Sequence, residues 1–175
     1  MHKHDKGFTL VETLVYLFIT AVLMLVISGL VVNVLNVRKK IRASNEVQNS
    51  ARYMINFISS HVHNVDLITD VSPDPDHLHF YKMPDVRFSL ALESNNLVYR
   101  ETQDTGGGFP DQSTATPIIL NTNQVTVDTF SLTPITDSEG NSNQGTLISF
   151  TLTTGSIADL HGHSRQSFNT FISIR

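Results

Sequence analysis

At 175 residues, 40% hydrophobic and 16% charged, the chain has the length of one domain with an appendage and the composition of a folded protein. It contains no cysteine, which excludes disulfides, thiolate metal sites and cysteine nucleophiles. Its net charge of −4 is uneven: from Asp70 onward five basic residues face twelve acidic ones, a net of −7 that argues against bulk binding of nucleic acid by the distal part.

In chain order, residues 1–7 (MHKHDKG) read as a short polar leader, and residues 8–37 as an apolar helix. No charged residue occurs from Thr13 to Val37. A helix of about 25 residues is roughly 37 Å long, enough to cross a hydrocarbon core about 30 Å thick. Glu12 stands at the front of this run, where a carboxylate is costly in lipid and calls for a partner. The basic cluster Arg38, Lys39, Lys40 and Arg42 marks the membrane exit, with long side chains suited to headgroups.

Residues 38–68 continue without a breaker as an amphipathic helix. Val47, Ala51, Met54, Ile55, Ile58, Val62 and Val65 recur at spacings of three and four, with Asn45, Asn49, Arg52, Asn56 and Ser59 opposite. No proline precedes Ser72, so one continuous helix of about 55 to 60 residues is expected, its second half packing on a folded body. The prolines in SPDPDH (Ser72 to His77) end the helical pattern.

Residues 69–175 read as a strand-rich domain, giving an α+β fold with an antiparallel sheet packed on the long helix. Strands are expected at His77–Lys82, Val86–Leu92, Leu97–Glu101, Pro117–Asn121, Val125–Leu132, Thr146–Thr153 and Ser167–Ile174. In TLISFTLT, Ile148, Phe150 and Leu152 share one face, and Leu147, Ser149 and Thr151 share the other. ESNN at Glu93–Asn96 predicts a hairpin turn, and DTGGGFPDQSTATP and DSEGNSNQG predict flexible polar loops.

The leader, then Gly7, Phe8, Thr9, Leu10, Val11 and Glu12, then the apolar helix, resembles the N-terminal signal of type IV pilins and the pseudopilins of type II secretion and competence systems. The resemblance is carried by GFTLVE and covers about the first 40 residues; beyond them it rests on architecture. It implies cleavage after Gly7 by a membrane-embedded prepilin peptidase, which also methylates the new N-terminus at Phe8. It further implies assembly with other pilin or pseudopilin subunits on an inner-membrane platform, with the Phe8 amine of one subunit pairing with Glu12 of another. The N-terminus would be cytoplasmic and the distal domain extracytoplasmic, ending on a cell-surface filament.

A secretory signal peptide has a shorter apolar core and a small-residue cleavage site, which VVNVLNVRKK does not offer. Positive charge is heavier after the helix than before it, which by itself favours the opposite orientation; the specific motif outweighs that count. No proline interrupts the membrane segment, where Ser28-Gly29 sits instead, and this points to a minor subunit or pseudopilin. The alternative of a different class is a membrane-anchored binding or adhesion module that never polymerises.

Three His-x-His pairs occur: His61/His63, His77/His79 and His161/His163. His77 and His79, two apart on a strand, could face one metal with Asp74 and Asp76 nearby, whereas a His-rich acidic surface is the blander reading. DVSPDPD (Asp70 to Asp76) lacks the spacing and closing glutamate of an EF-hand. No Ser/His/Asp order or paired-carboxylate pattern stands out, so no enzyme and no cofactor is expected.

Overall fold

The computed structural model describes residues 9–63, 65, 67–69, 77–82, 85–136, 143–156, 158–159 and 161–173. Residues 1–39 and 40–175 form two separate units.

Helix α1, Leu10–Val62, is unbroken over 53 residues and passes through Ser28-Gly29 without interruption. In the N-terminal unit the helix carries an 18-residue stretch long and apolar enough to cross a membrane, 0% buried. In the second unit the same helix buries Ala43, Val47, Ser50, Ala51, Met54, Ile58 and Val62, the stripe set by the three-and-four spacing. The helix stops at Val62, short of residue 68 where the pattern placed its end. His63 still donates to Ser59 O at 3.0 Å, but Val65 N–H turns back to Val62 O at 3.1 Å, a tighter three-residue closure. Val65 remains in the core, so an apolar residue spaced three from Val62 looks the same whether the helix continues or closes.

Among the described residues eight strands follow: β1 (Leu67–Thr69), β2 (His77–Lys82), β3 (Val86–Glu93), β4 (Asn96–Gln103), β5 (Ile118–Ile119), β6 (Val125–Thr136), β7 (Asn143–Thr154) and β8 (Ser164–Ser173). They form two antiparallel sheets, β1-β2-β3-β4-β5 and β6-β7-β8, where one sheet was expected. β1 had no counterpart in the sequence reading, because three residues show no alternation. The β3–β4 hairpin turns on Ser94 and Asn95, at φ 48° and 63°, with Glu93 opposite Asn96. Two consecutive left-handed residues are what a two-residue hairpin needs to match strand twist.

Both sheets contribute to one core with the second half of α1. Phe88, Leu90, Leu97 and Tyr99 come from the first sheet; Val125, Val127, Leu132, Ile148, Phe150, Leu152 and Ile172 come from the second. Phe57 and His61 of α1 stack at 4.3 Å between ring centroids, and both lie against Tyr99, at 5.1 and 5.0 Å. β3 is buried without alternation over Phe88, Ser89, Leu90 and Ala91, so both of its faces are covered. One face meets the helix. The other lies beneath the β4–β5 connection.

That connection, expected to be flexible, is instead held. Asp104 Oδ1 accepts from Gly106 and Gly108 N–H at 2.8 and 3.0 Å. Arg87 lies over the Phe109 ring, 5.3 Å from its centroid, and donates to Pro110 O at 2.7 Å. The short 3₁₀ turn Gln112–Thr114 drives the buried Gln112 amide into the sheet. There it accepts from Ser89 Oγ at 2.6 Å and donates to Thr102 Oγ1 at 2.9 Å and Arg87 O at 3.1 Å. A buried amide with its partners met is a fixed point.

Candidate functional site

The first turn of α1 is built by Thr9. Its carbonyl accepts the first helical bond from Thr13 N–H at 3.2 Å, and its hydroxyl accepts from Glu12 N–H at 3.3 Å. Thr9 is therefore the N-cap and Glu12 the third helical residue, the T-x-x-E spacing of a capping box. The sequence reading missed this use of Thr9, although the spacing was the signal.

The Glu12 carboxylate is exposed, and among the described residues no cation pairs with it. It sits where the helix N-terminus carries partial positive charge, which favours an anion. Two threonine hydroxyls of this segment are turned onto their own helix. Thr13 Oγ1 donates to Leu10 O at 2.8 Å and Thr20 Oγ1 to Tyr16 O at 2.7 Å. Hydroxyls satisfied within the segment cost little in hydrocarbon, whereas a free carboxylate remains available to bind a cation. Gly7 and Phe8 lie outside the described residues.

A family model described as the prokaryotic N-terminal methylation motif matches residues 2–28. The chain carries the type IV pilin and pseudopilin signature. No curated protein matches the chain, and neither does any solved structure. The pilin-type match spans the leader, Thr9, Glu12 and the first part of the apolar helix, so its end falls inside α1. The signature marks a structural family rather than a catalytic one.

The remaining candidates are spread through the second unit. His61 Nδ1 lies 2.8 Å from Phe57 O and His63 Nδ1 3.2 Å from Ser173 O, so the two imidazoles diverge. His77 and His79 pair through the backbone with Ala91 and Ser89, while Asp74 and Asp76 lie outside the described residues. Among the described residues no three His, Asp or Glu side chains group as metal ligands. Arg38, Lys39, Lys40 and Arg42 all lie in α1, next to the boundary between the two units.

Two charged contacts stand out from the sheets. Arg100 is bound by both oxygens of Glu93, the second at 2.9 Å, and that carboxylate holds the guanidinium above its ordinary range. The Tyr99 hydroxyl donates to Glu101; burial first, then the Glu101 carboxylate, push the phenol well above its usual value. Both pairs stabilise the first sheet.

Proposed function

We propose that this chain is a minor pilin or pseudopilin subunit that is processed after Gly7 and assembles through its N-terminal helix into a type IV pilus, competence or type II secretion filament. The methylation motif, joined to an exposed apolar helix with an exposed Glu12 in its capped first turn, carries this reading. The apolar segment anchors the chain, with the leader cytoplasmic and the strand-rich unit extracytoplasmic. Prepilin peptidase removes residues 1–7 and methylates the Phe8 amine. Assembly on the inner-membrane platform then brings that amine to Glu12 of a neighbour.

The pairing follows from charge. A methylated amine stays cationic, and a cation at a helix N-terminus opposes the helix dipole unless a carboxylate offsets it. A carboxylate in lipid has the mirror-image problem. Each removes the other's cost when helices bundle, and the need to meet sets the stagger between neighbours.

Mass spectrometry of the native protein should find a mature chain beginning at N-methylated Phe8; an intact Met1 would reject the proposal in favour of a non-polymerising anchored module. Glu12→Val should leave membrane insertion and folding unchanged while lowering incorporation into filaments by about tenfold or more, the scale of losing one buried charge pair. Normal incorporation of that variant would remove the pairing role.

A further inference from the structure

A sheet edge presents a row of free N–H and C=O groups, which folded proteins blunt by shortness, proline, bulges or charge. Among the described residues, three of the four edges are blunted. There β1 spans three residues and β5 two. β6 carries Pro134, its pairing with β7 shifts at Val127/Thr129 and again at Ile135/Thr136, and its Val127 N–H donates to Asn95 O at 2.8 Å.

β8 has none of these devices. It runs ten residues in unbroken register with β7 and, among the described residues, has no second strand beside it. Its one charged residue, Arg165, reaches back across β7 to Asp128 of β6 at 3.1 Å, which leaves the outer edge uncharged.

The direction of the β8 backbone follows from two contacts. Ile172 O lies against Gly145 of β7, where an added Cβ would meet it at 2.5 Å, so it faces β7. Ser173 O, the next along, is 3.2 Å from the His63 ring. Backbone groups alternate sides along a strand, so Ser167, Asn169 and Phe171 aim N–H and C=O away from β7.

The side chains also lack a neighbour. In β7 the inward row of Thr146, Ile148, Phe150, Leu152 and Thr154 is buried throughout. In β8 the matching row of Ser164, Gln166, Phe168 and Thr170 is only half-buried, and Ile172 alone is closed off. Phe168 stacks on Phe150 at 5.4 Å and keeps part of its ring exposed.

We propose that β8 accepts an extended strand from a neighbouring subunit, adding a fourth strand to the second sheet; this rests on the filament reading above. Backbone hydrogen bonds would supply the affinity and alternate side chains the choice of partner. The strand that fits is uncharged along the edge, with an apolar residue beside Phe168 and small polar residues beside Ser167 and Asn169.

A second β8 in two-fold antiparallel pairing does not fit. Gln166 donates to Ser44 Oγ at 3.0 Å while Ser173 meets His63, so β8 runs in the same direction as the second half of α1. Antiparallel pairing of two β8 strands would set those helix halves antiparallel in a closed two-fold dimer. Subunits of one filament run the same way, which requires a head-to-tail interface between different surfaces.

The test compares filaments from producing cells with the full-length chain in detergent. Amide hydrogen exchange over residues 165–171 should slow at least tenfold on assembly, a difference of about 1.4 kcal/mol in local opening. Asn169→Pro removes an outward donor but no bond to β7; it should keep its melting temperature and lose about tenfold in incorporation. Should that variant fail to fold, Ser167→Lys, which charges the same edge, replaces it with the same expected loss. Equal exchange in both states, or wild-type incorporation of the folded edge variant, overturns strand pairing. A chain that sits in filaments with an unprotected β8 defeats this inference alone, whereas a chain absent from filaments defeats the filament reading and takes this one with it.

Discussion

Tyr99 shows how one side chain couples the helix to the first sheet. Its ring packs on Phe57 and His61 of α1, and its hydroxyl donates to Glu101 two residues along β4. Burial and the Glu101 carboxylate raise its pKa above the ordinary value near 10. Below that value the phenol is protonated in both folded and unfolded chains, so stability does not change with pH on its account. Above it the unfolded chain ionises first, and stability falls as pH rises. Urea melts between pH 9 and about 11.5 should show this alkaline decline, and Tyr99→Phe should make it shallower. An unchanged slope would mean that Tyr99 is not the group responsible. The alternation in β4 placed Tyr99 on a face, but its partner could not be read from spacing alone. Glu12 is the opposite case: its oddness was visible at once, because a charge in an apolar run is conspicuous without any structure.

At the scale of elements, hydrophobic period located most of what forms. A strand falls within each stretch expected, with ends that moved by a few residues and Pro117–Asn121 reduced to β5, and the α1 stripe is the buried one. The β4–β5 connection was misread because its Gly, Pro and Ser content signals a turn and says nothing about what the turn packs on. Gln112 decides that. Gln112→Ala should destabilise the domain by about 1–3 kcal/mol by removing the amide that Ser89 Oγ, Thr102 Oγ1 and Arg87 O bond to. It should also open the 104–117 segment to proteolysis ahead of global unfolding. A melt and cleavage rate matching wild type would show that the amide is not what holds the loop.

At the scale of the molecule, the chain divides into two units. Among the described residues, every buried apolar one falls between Ala43 and Ile172, inside the unit 40–175, while the helix ahead of it exposes Leu, Val, Ile and Phe. A fragment of residues 40–175 should therefore be soluble and unfold in one cooperative transition, followed by far-UV and near-UV circular dichroism; an aggregated or non-cooperative fragment would show that the core needs the anchor. The sequence by itself determined the long apolar helix, the methylation motif, the amphipathic stripe and the strand-rich composition, because each is written in neighbouring residues or in a short period. Only the tertiary structure decided the division into two sheets, the clamped loop and the edge position of β8. Those depend on which segments meet across long stretches of chain, which neighbouring residues and short periods do not record.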